Sequence, residues 1–374
     1  DVLSISWNDD KVAWYENDGN QGFTEHAIST SDMPTSVYAA DVDSDGDMDV
    51  LSTSYTSAPI SWYENDGSGS FTEHAISTSV NYAYSVYAAD VDGDGDMDVL
   101  YASFLDDKIA WYENDGSHAF ENPIFVTHDI SASSVSYSVH AADVDGDGDM
   151  DVLSAALYDD SILWYENDGS GNFGSQIIIT TNADQPWSVY ATDVDGDGDM
   201  DVLSASITDG KIAWYENDGN QGFTEHAISI SDGGPYSVYA TDVDGDGDTD
   251  VLAAIFSNSI PDDNLVWYEN DGNQGFTEHA ISTSGRWHYS VYAEDVDADG
   301  DMDVLCASGQ FDRIAWYEND GNQGFTEHVI SASANYPQSV YAADVDGDGD
   351  MDVLSASRNG HEISWYENDG NQGF

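Results

Sequence analysis

The chain carries almost no positive charge. Three lysines (Lys11, Lys108, Lys211) and three arginines (Arg286, Arg313, Arg358) face 74 acidic residues, a formal net charge of -68 over 374 residues. Nucleic acid and anionic membranes are held through clustered Lys and Arg, and these six are scattered, so neither is an expected partner. Cys306 is the single cysteine, which excludes an intrachain disulfide. It lies in VLCAS where most other copies of the segment carry Ser or Ala and one carries Tyr101, and reads as a small buried thiol. No hydrophobic run is long enough to span a bilayer, and no segment sustains a helical period. No signal peptide is visible, although the chain opens at Asp1 in mid-repeat, which fits a leader already removed. There is no Ser-His-Asp order, P-loop, Rossmann fingerprint or HExxH zinc motif, so no enzyme is expected. An acidic chain poor in aromatics would be disordered; this one is 12% aromatic, with the rings recurring in register, so it folds.

What the chain has in abundance is one nine-residue string, DVDGDGDMD or a close variant, seven times over. The copies supply Asp41, Asp43, Asp45, Asp47 and Asp49; Asp90, Asp92, Asp94, Asp96 and Asp98; and Asp143, Asp145, Asp147, Asp149 and Asp151. The next two supply Asp193, Asp195, Asp197, Asp199 and Asp201, then Asp242, Asp244, Asp246, Asp248 and Asp250. The last two supply Asp295, Asp297, Asp299, Asp301 and Asp303, then Asp344, Asp346, Asp348, Asp350 and Asp352. Alternate carboxylates on a tight turn suit a hard cation such as calcium, which takes six to eight oxygens at about 2.3–2.6 Å. Glycine at position six allows the positive φ such a turn requires. The start matches an EF-hand loop, but no Glu follows at position twelve and no helix flanks it. About seven Ca2+ ions, one per loop, are expected. The self-repulsion of so acidic a chain makes them part of the fold.

The loop recurs every 49 to 53 residues. Each unit reads as four strands, SVYAADV, MDVLSAS, IAWYEN and FTEHAIS in the consensus, rich in Val, Ile, Tyr, Trp and Phe and punctuated by Gly, Asn and Asp. A strand-built period of this length predicts an all-β fold: a β-propeller of four-stranded antiparallel blades with the Asp-rich loop between the first two strands. The reading is one domain over 1–374, with a partial repeat 1–23 and seven repeats at 24–71, 72–120, 121–173, 174–223, 224–276, 277–325 and 326–374. Seven first strands argue for seven blades, the N-terminal FTEHAIS completing the last one and Asp1–Glu16 left as a surplus hairpin; eight blades are the alternative.

Trp14, Trp62, Trp111, Trp164, Trp214, Trp267, Trp316 and Trp365 each precede a Tyr in the third strand. Alternation would turn Trp to one neighbouring blade and Tyr to the other, as core. His26, His74, His226, His279 and His328 of the TEH strands read as surface residues rather than metal ligands. Loop-to-strand spacings are constant, whereas insertions such as Asn258–Asp263 and Glu121–Thr127 fall elsewhere. The acidic loops and NDG turns should therefore share one end of the blades, and variable connections the other, free for function.

The repeated DVDGDGDMDVL followed by WYENDG-x-x-x-F resembles the FG-GAP/VCBS repeat family over essentially the whole chain. The resemblance implies a calcium-loaded β-propeller, as in integrin alpha chains and in a class of fungal and bacterial propeller lectins. It also implies ligation by side chains at positions one, three, five and nine and a backbone carbonyl at seven. In the first loop these are Asp41, Asp43, Asp45 and Asp49, with the carbonyl of Asp47; Ala298 replaces a non-ligand Gly in the sixth. The FG and GAP signatures themselves are not evident.

Immediately before each SVY or SVH stand Thr35, Tyr84, Tyr137, Trp187, Tyr236, Tyr289 and Gln338. Flat aromatic faces suit sugar stacking, so Tyr84, Tyr137, Trp187, Tyr236, Trp287 and Tyr289 are the candidate ligand face. The expected function is a secreted or cell-surface binding and adhesion module for carbohydrate or an extracellular protein. The alternative is a self-assembling structural subunit that pairs strands through its mid-repeat termini.

Overall fold

The computed structural model describes residues 2–6, 11–17, 23–29, 34–54, 60–68, 70–103, 106, 108–114, 126–131, 136–231, 233–256, 265–282, 287–343, 350–357 and 362–368. The chain divides into two compact units, Asp1–Glu16 with Thr24–Asn182, and Asn17–Phe23 with Ala183–Phe374. Described residues are strand and turn throughout, with no helix among them.

In the first unit, β1 (Val2–Ser6), β2 (Lys11–Asn17) and β3 (Phe23–Ser29) form a three-stranded sheet. A four-stranded sheet follows from β4 (Pro34–Ala40), β5 (Asp49–Ser54), β6 (Ile60–Asn65) and β7 (Phe71–Ser77). The next holds β8 (Ala83–Ala89), β9 (Asp98–Ser103), β10 (Lys108–Glu113) and β11 (Val126–Ser131). The last holds β12 (Ser136–Ala142), β13 (Asp151–Ala156), β14 (Ser161–Tyr165) and β15 (Ile177–Thr180).

The second unit opens with β16 (Pro186–Thr192), β17 (Asp201–Ser206), β18 (Lys211–Asn217) and β19 (Phe223–Ile230). Then come β20 (Gly234–Thr241), β21 (Asp250–Phe256), β22 (Leu265–Asn270) and β23 (Phe276–Ser282). A third sheet holds β24 (His288–Glu294), β25 (Asp303–Ser308), β26 (Arg313–Asn319) and β27 (Phe325–Ser331). Three strands end the chain: β28 (Pro337–Ala343), β29 (Asp352–Ser357) and β30 (Glu362–Tyr366).

Every sheet runs in chain order and every described pairing is antiparallel, as in a propeller blade. The expectation for the N-terminal FTEHAIS is corrected. β3 pairs with β2, so it extends the first hairpin, and the β28–β30 sheet keeps three strands. The insertions Asn258–Asp263 and Glu121–Phe125 lie outside the described residues.

Cores form between adjacent sheets. Leu51, Ile60 and Trp62 of one sheet meet Val86, Val99, Ala110 and Tyr112 of the next. In the second unit Leu203, Ile212 and Trp214 meet Val238, Val251, Val266 and Tyr268. Alternation along the third strand does this: Trp faces the following blade and Tyr the preceding one. Trp62, Trp111, Trp164, Trp214, Trp267 and Trp316 are all buried, whereas the side chain of Trp365 lies outside the described residues. Cys306 is buried as expected, with Sγ 3.0 Å from His288 Nδ1.

The TEH histidines are not simple surface residues. His74, His226, His279 and His328 stack on Trp62, Trp214, Trp267 and Trp316 at ring separations of 4.4–4.7 Å. Each Nε2 also meets a Glu (Glu64, Glu216, Glu269 or Glu318) at 2.7 Å. Three of the described basic residues pair with acids of fourth strands: Lys108 with Asp129, Lys211 with Glu225 and Arg313 with Glu327.

Candidate functional sites: acidic loops and an aromatic arc

Six of the seven Asp loops are described in full; Asp344, Asp346 and Asp348 of the last lie outside the described residues. Each loop is held open by its own backbone. In the first, Gly46 N donates to Asp41 Oδ2, Asp45 N to Asp43 Oδ1 and Asp47 N to Asp45 Oδ1, at 2.9–3.3 Å. In this loop Asp41, Asp43 and Asp45 are each held by a backbone N–H through one oxygen, whereas Asp193, Asp242 and Asp295 accept backbone N–H bonds through both. Asp41 Oδ1, Asp43 Oδ2, Asp90 Oδ1 and Asp143 Oδ1 are buried and have no hydrogen-bond donor. Ligand atoms of Asp41, Asp43 and Asp49 all lie within 4.8 Å of one another, as do those of Asp90, Asp92 and Asp94, and of Asp143, Asp145 and Asp147. The second unit repeats this with Asp193, Asp195 and Asp197, and with Asp242, Asp244 and Asp246.

Position nine differs in kind. Asp49, Asp98, Asp151, Asp201, Asp250, Asp303 and Asp352 are fully buried. In the fourth loop, Asp201 Oδ2 accepts from Val194 N at 3.0 Å and Oδ1 from Asn217 N at 2.8 Å. Burial pushes the Asp201 and Asp303 carboxyls up to about 7, against the pull of those backbone donors. It pushes Asp49, Asp151 and Asp250 up to about 6 in the same way. Burial and the charge of the neighbouring Asp45 also raise Asp43. Carboxylates packed this closely, some with inward oxygens that no donor satisfies, form a donor set suited to a hard dication. The carboxylates at positions one, three and five, and at one, three and nine in the first loop, therefore stand close enough together to fit such an ion.

Backbone strain in the loop was only partly foreseen. Position six is Gly at φ of about 97–101°, with open space round a hypothetical Cβ at Gly198. Position four is also left-handed, so Ser44 and Ala298 sit at φ 58° where other loops have Gly at 74–76°. Gly198→Ala should therefore destabilise through backbone alone, by about 1–2 kcal/mol. A lowered urea midpoint at unchanged slope would show it; an unchanged midpoint would remove the constraint. The NDG turns share the loop end as expected: a Cβ on Gly219, Gly272 or Gly321 would come within 2.6 Å of the Asp at position seven of the same blade's loop.

At the opposite end, every first strand carries a bulge. Pro186 pairs with Ser206 and Ser188 with Ala205, leaving Trp187 outside the ladder. The same slip ejects Thr35, Tyr84, Tyr137, Tyr236, Tyr289 and Gln338, the very set that precedes SVY or SVH. A bulge re-aims one side chain without breaking the sheet. The side chains of Tyr84 and Tyr137 lie outside the described residues. Thr35 is tied down, its Oγ1 donating to Ala83 O at 2.6 Å.

In the second unit the ejected rings touch. Trp187 lies 5.1 Å from Tyr236, which lies 5.5 Å edge-on from Tyr289. Trp287 joins through Phe256, at 5.7 Å, and Phe256 also meets Tyr236 and Tyr289. Tyr336 adds a sixth ring, its hydroxyl 2.7 Å from that of Tyr289. All six are half-buried. Trp287 and Tyr336 hold φ of 59° and 68°, a strained conformation for bulky residues. Phe256 and Tyr336 were missed in the sequence. Both stand next to strand ends, and only the aromatic run around Trp287 hinted at their neighbourhood.

Four-stranded antiparallel sheets in chain order, each with an Asp-rich loop after its first strand, define a β-propeller of repeated acidic-loop blades. The chain belongs to the FG-GAP-like repeat family, whose model matches residues 1–52, 41–101, 91–154, 145–204, 193–253, 242–306 and 295–355. No curated protein matches it in sequence. Among solved structures it is similar to an Agrocybe aegerita lectin that recognises non-reducing terminal N-acetylglucosamine, with 14% identity, 94% of each chain covered and a TM-score of 0.58. It is also similar to BBS1N, solved in complex with ARL6DN (12% identity, 90% and 93% covered, TM-score 0.58). A periplasmic gluconolactonase of Pseudomonas aeruginosa is a third (13%, 90% and 97% covered, TM-score 0.54). At these identities the likeness is one of fold.

Proposed function

We propose that the protein is a calcium-stabilised propeller, working outside the cell, that binds carbohydrate on the aromatic arc of its second unit. The observation that carries this reading is the bulge: each strand that precedes an Asp-rich loop leaves one residue outside the ladder at the variable end, and in three consecutive blades these are Trp187, Tyr236 and Tyr289. Aromatic faces offer stacking area to the C–H face of a sugar, and the paired hydroxyls of Tyr289 and Tyr336 offer polar contacts. A formal charge of -68 repels anionic glycans, so neutral ones are favoured. The Asp loops supply the donor set for calcium, and extracellular modules work at the calcium levels found there. Acidic residues recur in each blade without marking one acid–base pair, which supports a binder over an enzyme.

The test is a glycan array in millimolar calcium, with terminal N-acetylglucosamine among the neutral probes. One sugar family should bind, and Trp187→Ala should weaken it roughly thirtyfold, the cost of losing an aromatic hot spot. Tyr158→Ala, exposed in the first unit, should leave it unchanged. Absence of binding to any neutral glycan, or equal loss in both variants, would overturn the reading.

A further inference from the structure

The Asn of WYEN was legible only as part of a turn. In the structure it joins one blade's acidic loop to the next. Asn270 N donates to Asp250 Oδ1 at 2.8 Å, inside its own blade. Its side-chain Nδ2 donates twice, to Thr249 O of its own loop at 3.0 Å and to Val194 O of the preceding blade's loop at 2.9 Å. Its Oδ1 accepts from Gly272 N, so the side chain is fully satisfied and 2% exposed. Val194 is itself held, because its N–H donates to Asp201 Oδ2.

The same unit repeats without a gap. Asn319 reaches back to Val243 O at 2.8 Å while its N–H caps Asp303, and Asn368 reaches Val296 O at 2.8 Å while capping Asp352. Val243 N and Val296 N return to Asp250 and Asp303. A hydrogen-bonded chain of carboxylate, peptide and amide thus runs from Asp201 to Asp352 through four loops. In the first unit Asn114 and Asn167 build the same chain from Asp49 to Asp151, reaching Val42 O and Val91 O. Its members are largely buried, where such bonds polarise one another and a lost partner is costly.

We infer that these asparagines couple neighbouring cation loops, so that filling one loop favours filling the next rather than each binding alone. The inference rests on the cation reading above. A cation drawn to positions one, three and five, with position nine completing the set as the repeat pattern implies, fixes the position-nine Asp, the Asp fixes the N–H of Val at position two, and the peptide so held presents its carbonyl to the next blade's Asn. That Asn in turn positions the backbone that caps its own position-nine Asp. The direct links join loops whose Asn and Val lie 72 or 76 residues apart in sequence, with no shared ligand. A coupling carried by a few buried bonds falls at the low end of the usual range, about fivefold in affinity.

The experiment is a double-mutant cycle on the whole chain, read by hydrogen exchange of loop peptides during a calcium titration. Asp195→Asn disables the loop at 193–201. In the otherwise unsubstituted protein it should raise the calcium midpoint for protection of 242–250 about fivefold. In an Asn270→Ala background the same change should shift that midpoint less than twofold. Asn273→Ala, exposed in the same turn, should leave the fivefold effect intact. If Asn270→Ala does not fold, Asn270→Asp removes the Nδ2 donor but keeps the acceptor for Gly272, with the same expectation. A midpoint at 242–250 indifferent to Asp195→Asn, or a fivefold shift that survives loss of the Asn270 donor, would overturn the coupling while leaving calcium binding in place. No calcium-dependent protection in any loop would overturn the cation reading itself, and the coupling with it.

Discussion

Chelation with EDTA is expected to lower the melting temperature by on the order of 20 °C. A site filled at 100 times its Kd contributes about 2.7 kcal/mol, and seven loops are present. At roughly 1–2 °C per kcal/mol for a chain this long, the sum gives that fall. The reason is local. Asp49, Asp98, Asp151, Asp201, Asp250, Asp303 and Asp352 are fully buried, and the described basic residues Lys108, Lys211 and Arg313 pair with fourth-strand acids. Without a cation, ionised groups at position nine are stabilised chiefly by backbone donors. The pH dependence should then invert. Burial holds Asp49 and Asp250 at about 6 and Asp201 and Asp303 at about 7, above the ordinary 3.8. A carboxyl raised in the folded state favours folding below its unfolded pKa, and that contribution is lost as pH rises through 6–7. The chelated protein should melt higher at pH 5 than at pH 8, and the calcium-loaded protein lower, because protons displace the ion. Equal melting temperatures with and without EDTA would sink calcium as fold cement.

Legibility in the sequence followed the range over which each feature acts. The loops were readable because alternation of Asp with Gly at position six is complete within nine residues, as at 242–250. The Trp and Tyr faces were readable because a strand repeats every two residues. The ejected Trp187, Tyr236 and Tyr289 were readable as residues before SVY, though not as bulges, since the slip appears only against the partner strand. Phe256 and Tyr336 were hidden because different blades bring them to Tyr289. Asn270 was hidden more deeply, its partner carbonyl being 76 residues away. His226 misled for a physical reason: alternation puts it on an outer strand, but Trp214 spreads under it and Glu216 closes over its edge. Ala298 looked like a harmless exchange for Gly, and only its φ of 58° shows a conformational cost.

Trp267→Ala is expected to cost about 3–5 kcal/mol, the usual price of emptying a buried aromatic site. Trp267 is 0% exposed. It lies with Leu252 and Leu265 against Val291, Val304 and Tyr317 of the next blade, so its loss opens a cavity in the wall between two sheets. His279 would lose its stacking partner at 4.6 Å, and Phe325 an edge contact at 6.3 Å. His279→Ala removes only the outer part of this arrangement, a stacked pair and a partly exposed hydrogen bond between Nε2 and Glu269, and should cost about 0.5–1.5 kcal/mol. Urea denaturation of both variants in calcium, fitted with a common slope, gives the comparison. A Trp267→Ala cost below about 1 kcal/mol would mean that the third-strand Trp is not structural wall, and would reopen it as a ligand platform. The expected order, with Trp far above His, would be consistent with the proposed ligand role of the half-buried arc of Trp187, Tyr236 and Tyr289 in the second unit. Trp187→Ala should then lower glycan affinity while costing little stability, because its ring stands outside the ladder rather than in the wall.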